Sequence, residues 1–237
     1  MKYIPIKQIE DTGVARGLFT SGGSGWWPFR GENAGTEIPE ADLANYRELA
    51  AHLGTDPDHM NRVDQKHTDR VMTVRSENAG EGVIRVSETG HCDGMITDVP
   101  GTVLCIVTAD CVPVFLVDPV KKAAGLVHSG WKGTAARIGR ITVDRMARDY
   151  GCRPEDILAG IGPSIGACCF EVDEPVASVF AAMGEGAGCI RERGAGKYDV
   201  DLWEVNRRVL AGAGIEPEHI SVAGLCTRCH PDIFWSH

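Results

Sequence analysis

A thiol and an imidazole interrupt two apolar runs in the segment from residue 105 to residue 134. Cys111 lies in TADCVPV and His128 lies in GLVHSGW. At the ends of buried strands, such a pair can bind a soft metal, or it can act as a nucleophile and its base. We therefore take this segment as the centre of a candidate site.

A second histidine, His67 in QKHTDRV, could complete a three-residue site. It is far from Cys111 and His128 in the sequence, so only the fold could bring the three together. Two histidines and one cysteine are a reasonable zinc set that leaves a fourth position open. The same ligands occur in blue-copper sites, so copper stays possible. The lack of a clustered Cys, His and Met loop in one segment favours zinc.

Other polar residues flank this trio. Asp93 in CDGMITD and Asp110 could transfer protons or orient a histidine. Pro113 limits strand pairing, so the backbone around Cys111 is expected to leave the regular ladder. The segment HSGWKGT leaves a strand through two glycines and enters a helix, whose first amides could bind an anion beside Lys132.

Short β-branched segments and amphipathic segments follow one another along the chain. The predicted strands are 71–74, 82–86, 103–108, 112–117, 123–128, 157–161 and 220–225, and the predicted helices are 40–53, 134–150, 174–183 and 202–213. This pattern predicts an α/β fold, a single mixed-sheet domain over residues 1–237 with helices covering the sheet.

The composition narrows the partners and the compartment. The 237 residues carry 24 Lys and Arg against 33 Asp and Glu, a net charge of −9, and there is no basic run, so we do not expect nucleic acid as a partner. No apolar stretch is long enough for a bilayer and no signal-like segment opens the sequence, which predicts a cytoplasmic protein without a membrane partner. In a reducing compartment, nine cysteines favour buried thiols, metal ligands or a nucleophile over disulfides.

The segment CTRCH, from Cys226 to His230, has the spacing of a c-type haem attachment motif. Haem is not expected, because such attachment goes with export and no signal peptide is present. Two interpretations stay open. Cys226 and Cys229 could form a second metal site with Cys168 or Cys169, or they could be two buried thiols.

Several motifs together resemble a known family. QKHTDRV, CDGMITD, TADCVPVFLVDP, AAGLVHSGWKGT and GIGPSIGACCFEV, in this order, resemble the multicopper polyphenol oxidoreductase or laccase-domain proteins, now regarded as purine nucleoside phosphorylases with adenosine deaminase activity. The resemblance runs from about Phe19 to Trp235. It implies zinc held by His67, Cys111 and His128 in a fold similar to that of toxin-type cysteine deamidases.

The resemblance also implies the reactions. Adenosine, inosine, guanosine or 5′-methylthioadenosine would react with phosphate to give a free base and a ribose 1-phosphate, and adenosine would be deaminated to inosine. Oxidation by several coppers is not expected, because the chain has eight histidines and no His-x-His pair. The H-x-E and P-C-x-x-C signature of zinc deaminases is absent as well, so deamination would need another arrangement.

Departures from the family pattern fall on the expected substrate contacts. Asn33, in a loose match to the family's glycine-rich segment, is retained and is a substrate-binding candidate. Asn45, in the helix that follows, is retained as well. Lys132, the other substrate-binding candidate, stands where arginine is usual. A guanidinium can bind an anion through two parallel hydrogen bonds, whereas the lysine ammonium offers a single compact charge. The sequence ends at FWSH, where relatives usually continue into an arginine-rich tail, and we expect this departure to affect phosphate binding and therefore phosphorolysis.

Two alternatives to a zinc nucleoside enzyme stay open. The first is a cysteine hydrolase or amidase with Cys111 as nucleophile and His128 as base. The second is a non-catalytic metal-binding or redox-binding protein that uses the other cysteines.

Overall fold

The computed structural model describes residues 2–21, 40–87 and 89–237, with the side chain of residue 41 left out. Within them the helices are α1 (Lys7–Glu10), α2 (Glu40–Leu53), α3 (Trp131–Ala135), α4 (Ile138–Tyr150), α5 (Glu174–Ala181) and α6 (Leu202–Gly212). The strands are β1 (Lys2–Pro5), β2 (Leu18–Ser21), β3 (Met60–Arg62), β4 (Val71–Thr73), β5 (Gly94–Thr97), β6 (Val103–Cys105), β7 (Val112–Asp118), β8 (Ala123–Ser129), β9 (Leu158–Ile161), β10 (Glu171–Asp173), β11 (Ile190–Gly194), β12 (Lys197–Val200) and β13 (Ile220–Val222).

A six-stranded mixed sheet forms the centre of the fold, with strand order β13-β9-β7-β8-β5-β4. The four inner strands pair antiparallel, and each edge strand is parallel to its neighbour. Smaller sheets pair β1 with β2, β3 with β6, and β12 with both β10 and β11. The α/β fold with a mixed sheet, expected from the sequence, is confirmed.

The central strand β7 buries both of its faces, as its almost continuous apolar sequence predicts. Val114 and Leu116 belong to the core cluster that also contains Met146 of α4 and Leu210 of α6. Val117, which points to the opposite face because side chains alternate along a strand, packs in the cluster of α1. The sheet is therefore covered on both sides and held rigidly, which suits a site built at its edge.

Most predicted elements are present, and α2 has the predicted bounds. The predicted strand 82–86 is wrong. This segment is a turn in which Gly82 has a φ of +74°, and the amides of Val83, Ile84 and Arg85 all donate to the carbonyl of Gly80. These three consecutive amides are used within the turn and are not available to a neighbouring strand.

The predicted helix 134–150 is two helices, α3 and α4, and the first begins earlier than predicted. Arg137 separates them with a left-handed φ of 59°. Its guanidinium donates to both carboxylate oxygens of Glu185, at 2.8 and 2.9 Å, which holds the residue in this uncommon conformation. Other predicted elements differ only at their ends; β6 and β13, for example, stop at Cys105 and Val222.

The helices within the described ranges include none with the length and apolar character needed to cross a membrane.

Candidate metal centre

The topology of the main sheet brings three distant parts of the sequence to one edge. Parallel strands β4 and β5 both begin there, and β8, antiparallel to β5, ends there. Strand β7 is antiparallel to β8 and therefore also begins there, with Pro113 opposite His128 in the register. His67 lies before β4 and Cys111 lies directly before β7, so all three candidate side chains belong to this edge.

The three side chains converge as the sequence predicts. One ligand atom from each of His67, Cys111 and His128 lies within 4.8 Å of the others. The Cys111 Sγ is 3.6 Å from the His67 Nε2, and the two imidazole rings lie edge to face with centroids 4.9 Å apart. His128 is buried, Cys111 is partly buried and His67 is exposed, so the site opens to solvent on the His67 side.

Asp93, which directly precedes β5, holds both histidines. It is fully buried, and its Oδ1 accepts hydrogen bonds from the His128 Nδ1 at 2.8 Å and from the His67 amide at 3.0 Å. Its Oδ2 accepts from the Lys66 amide and from the amide and hydroxyl of Thr68. These bonds hold His67 in a left-handed conformation, with a φ of 58°.

The pairing with Asp93 decides which nitrogen of His128 can bind a metal. Because Nδ1 donates to the carboxylate, Nε2 is left for a ligand. Burial alone would raise the pKa of Asp93, but hydrogen bonds from His128 and Thr68 outweigh it and lower the pKa to about 2. Asp93 is therefore an ionised hydrogen-bond acceptor whose two oxygens are already engaged, and its geometry is that of a positioning residue.

Cys111 and His128 shift each other's pKa towards the charged forms. Burial alone would raise the pKa of the Cys111 thiol, but hydrogen bonds with His128 and His67 lower it to about 7. Burial would lower the pKa of His128, but hydrogen bonds with Asp93 and Cys111 raise it to about 9. The thiolate that a soft metal requires is thus accessible near neutral pH, and metal binding would displace a proton from His128.

The backbone of Gly130 forms one wall of the site. A Cβ built on this residue would lie 2.7 Å from the His67 Cδ2 and 3.0 Å from the Cys111 Sγ, closer than real side chains pack. Its φ of −63° is ordinary, so the requirement for glycine is one of space. The residues fit a metal ion, because a thiolate and two imidazole nitrogens face one another beside a wall that leaves room for them.

Asp110 makes different contacts from those considered at the sequence level. Its φ of 80° confirms that the chain leaves the ladder before Cys111. Its carboxylate accepts hydrogen bonds from the Thr227 and Ser236 hydroxyls at 2.5 and 3.0 Å and from the His237 amide at 2.8 Å. The carboxylate of Asp110 thus fastens the 227–237 segment beside Cys111.

The two substrate-binding candidates have different outcomes. Lys132 lies in the short helix α3, exposed, with its Nζ 5.6 Å from the centroid of the Trp131 ring. It makes no ion pair with a carboxylate among the described residues. Asn33 lies outside the described residues. Asn45 lies within α2.

Sequence reasoning missed a buried network that fixes the turn after His128. The Ser129 hydroxyl donates to the Asn206 Oδ1 at 2.9 Å and lies 3.0 Å from the Thr134 hydroxyl, to which the Asn206 Nδ2 also donates. Ser129 and Thr134 are visible in HSGWKGT, but nothing in the sequence connects them with Asn206 in α6. Sequence reasoning also missed the hydrogen bonds of Thr68 to Asp93, although the position of Thr68 next to His67 could have indicated a role in the site.

A cavity of about 530 Å³ lies elsewhere, between β2, α2 and the β6–β8 region. Its lining includes Phe19, Leu49 and Phe115, but none of the three candidate ligands. We therefore place the chemistry at the edge of the sheet, where the titratable groups meet, and not in this apolar cavity.

Comparison with known proteins agrees with the fold. A family model described as multi-copper polyphenol oxidoreductase laccase matches residues 18–237. The chain is 38% identical over 223 residues to the purine nucleoside phosphorylase YlmD of Bacillus subtilis (strain 168), with 92% of this chain and 80% of the relative covered. It is 34% identical over 200 residues to the adenosine deaminase RL5 of an unknown prokaryotic organism, with 79% and 72% covered.

The structure is also similar to solved ones. The crystal structure of the Bacillus licheniformis hypothetical protein YfiH matches with a TM-score of 0.85 and 35% identity, over 94% of this chain and 86% of that chain. Fold and site together define a mixed α/β protein with a His/Cys/His group that could hold a metal. The chain belongs to the multi-copper polyphenol oxidoreductase laccase family, which confirms the resemblance found in the sequence.

Replacing Gly130 with alanine should damage the metal centre without unfolding the protein. The added Cβ would displace His67 or Cys111 from its place, and we expect metal affinity to fall by about tenfold or more, as for other disturbed ligand shells. Competition with a chromogenic chelator measures it. Gly212→Ala is the control, because a Cβ there meets nothing within 4 Å. Equal metal affinity in both variants would contradict the assigned wall.

Replacing Asp93 with asparagine should weaken metal binding by about 10–100-fold, because the side chain would no longer fix the tautomer of His128 or accept every amide of the His67 loop. Titration calorimetry measures the affinity. Asp118→Asn is the matched control, since Asp118 is equally buried but accepts the amides of Val120 and Lys121 in a turn. A loss of affinity of the same size in the control would show that Asp93 acts only through general stability.

Proposed function

We propose that this chain is a zinc-dependent purine nucleoside enzyme that cleaves nucleosides with phosphate and deaminates adenosine. The observation that carries the proposal is the convergence of His67, Cys111 and His128 on one centre. Relatives named purine nucleoside phosphorylase and adenosine deaminase support the substrate class. Residues 1–237 would act as one laccase-domain-like unit.

His67, Cys111 and His128 would hold the zinc ion. One thiolate and two imidazoles suit zinc, with copper as the alternative ion. Zinc with three protein ligands supplies a Lewis acid at its remaining open position. The exposed face of His67 leaves that side of the site accessible to a nucleoside, while the buried side is closed by His128 and Asp93.

The two proposed reactions share a purine nucleoside and differ in the attacking group. In phosphorolysis, a phosphate oxygen bonds to C1′ of the ribose, and the base leaves with the electron pair of the glycosidic bond and takes up a proton. In deamination, a water oxygen bonds to C6 of adenosine, and the amino group leaves as ammonia. Asp93 and Asp110 act in this scheme as positioning residues, because their carboxylates are already engaged.

Lys132 is the basic side chain closest in sequence to the His128 end of β8, on the helix that begins at Trp131. An exposed ammonium with no carboxylate partner among the described residues is available for an anion. We assign the phosphate contact to Lys132, and we keep Asn33 as a candidate contact to the nucleoside.

A second candidate function has its own observation. Cys111, His128 and Asp93 form a hydrogen-bonded series in which the pKa of the thiol falls to about 7 and that of the imidazole rises to about 9. A thiolate beside an imidazolium that a carboxylate orients is the arrangement of cysteine hydrolases. A metal-free form of the protein would present this pair to an amide or ester substrate.

Replacing Cys111 with alanine should lower turnover of adenosine by about a thousandfold or more, because the substitution removes a group on which the whole site depends. Chromatography of reactions with and without phosphate separates inosine, adenine and hypoxanthine. Cys105→Ala, a thiol outside the site, is the control and should keep its activity.

Turnover by Cys111→Ala equal to that of the control would remove Cys111 from the mechanism. A protein that keeps its activity after metal removal and then loses it to iodoacetamide would favour the cysteine hydrolase. Tight metal uptake without turnover of any nucleoside would favour the non-catalytic metal-binding protein.

Replacing Lys132 with alanine should raise the KM for phosphate by about 10–100-fold, as expected when a charged hydrogen bond is lost. Deamination needs no phosphate and should be unchanged, whereas Lys132→Arg should keep phosphorolysis. Initial rates at varied phosphate measure this, with Lys121→Ala, an exposed lysine on another turn, as the control. Equal loss of both activities in Lys132→Ala would contradict a phosphate contact.

A further inference from the structure

Four cysteines outside the candidate metal centre meet at another point of the molecule. Cys168, Cys169, Cys226 and Cys229, here called the thiol cluster, have all four Sγ atoms within 4.8 Å of one another. The Cys229 Sγ lies 3.6 Å from that of Cys168 and 3.5 Å from that of Cys169. We infer that the thiol cluster is a second metal site, a structural Zn²⁺ site with four thiolate ligands.

The distances fit one tetrahedral ion better than a disulfide. Thiolates about 2.3 Å from a central zinc ion lie about 3.8 Å apart at the corners of a tetrahedron. The separations of 3.5 and 3.6 Å in the thiol cluster are close to this value and far above a disulfide bond of about 2.0 Å. A cluster of several iron atoms would hold its thiolates at its outer corners, farther apart than these sulfur atoms.

The main sheet assembles the cluster from two segments. Parallel strands β9 and β13 end side by side, and their continuations remain paired through a bridge between Ser164 and Cys226. The Ser164 amide donates to the Leu225 carbonyl at 3.2 Å, and the Thr227 amide donates to the Ser164 carbonyl at 3.1 Å. Cys168 and Cys169 follow on one segment, and Cys226 and Cys229 have the C-x₂-C spacing of structural zinc sites on the other.

One backbone amide beside the cluster is placed to stabilise a thiolate. The Gly166 amide donates a hydrogen bond of 3.3 Å to the Cys226 Sγ, as backbone amides do around metal-bound thiolates. Four thiolates and one Zn²⁺ carry a net charge of −2. A guanidinium nitrogen of Arg193 donates to the Cys168 carbonyl at 3.4 Å and so helps to hold this segment, while the charge of Arg193 is paired with Asp199 and Glu171.

The thiol cluster is connected to the candidate metal centre through Asp110. The amide of Ile165, in the segment that leads to Cys168, donates to the Asp110 carbonyl at 2.9 Å. The Thr227 hydroxyl, next to Cys226, donates to the Asp110 carboxylate at 2.5 Å. Both segments that a zinc ion would join therefore hold the residue before Cys111, and the ion would stiffen the loop that carries this ligand.

Metal counting tests the proposal. Protein purified under reducing conditions and loaded with zinc is analysed by inductively coupled plasma mass spectrometry and native mass spectrometry. With both sites filled, we expect two ions per chain in the wild type and one each in Cys111→Ala and in Cys168→Ser/Cys169→Ser. Cys152→Ser, a buried thiol outside both sites, should keep two. An unchanged metal count after loss of Cys168 and Cys169 would overturn the proposal.

Cobalt gives a readout that does not depend on the folding of the double variant. Cys111→Ala loaded with Co²⁺ should show strong thiolate-to-cobalt charge-transfer absorption, because four thiolates surround the ion. Absence of that absorption, or a disulfide within the cluster that persists under reduction, would overturn the proposal. If the candidate metal centre at Cys111 binds no ion, the wild type loses only that ion and the cobalt absorption of the thiol cluster remains. The failure of the proposed function can therefore be distinguished from the failure of this proposal.

Discussion

The hydrogen bonds of one buried carboxylate hold the candidate metal centre together. Asp93 has no exposed surface, and an ionised carboxylate in such a place is stable only when its oxygens are fully engaged. Its partners are the His128 ring, the Thr68 hydroxyl and the amides of residues 66–68. One charged group thereby fixes a ring on β8 and a loop before β4, and a change at Asp93 must disturb both histidines at once.

The mixed sheet explains why the three ligands meet despite their separation in the sequence. The parallel strands β4 and β5 begin at one edge of the sheet. Strand β8, which is antiparallel to β5, ends at that edge, and β7, which is antiparallel to β8, begins there. Each strand therefore delivers one polar residue to the same place, and the apolar faces of β7 keep the edge rigid. Asp110 extends this arrangement outward, since it binds segments that follow β9 and β13 on the other side of β7. The candidate centre is thus supported from both directions across the sheet.

The sequence predicts those parts of the structure that depend on local patterns. The apolar period and the closing Gly54 predict α2 with its observed bounds, and the interrupted apolar runs point to Cys111 and His128. Where a distant partner overrides the local pattern, prediction fails. Arg137 divides a helix because Glu185 holds it, and no feature near residue 137 announces that partner.

The roles of the two aspartates illustrate the same limit. Both stand beside candidate ligands in the sequence, yet Asp93 turns towards the histidines while Asp110 turns away to Thr227. The closeness of the Cys168 and Cys229 sulfur atoms likewise depends on β9 and β13 lying side by side. Residue types therefore indicate which groups can react, and the strand order decides which of them meet.

The central claim is that Asp93 fixes His128 with a proton on Nδ1 and leaves Nε2 for the metal. Long-range proton–nitrogen NMR correlation of the metal-loaded protein tests it directly, because the two ring nitrogens have distinct shifts when protonated and when metal-bound. The account predicts a slowly exchanging proton on the His128 Nδ1 and a metal on Nε2. A metal on Nδ1, or an unprotonated Nδ1 facing Asp93, would contradict it.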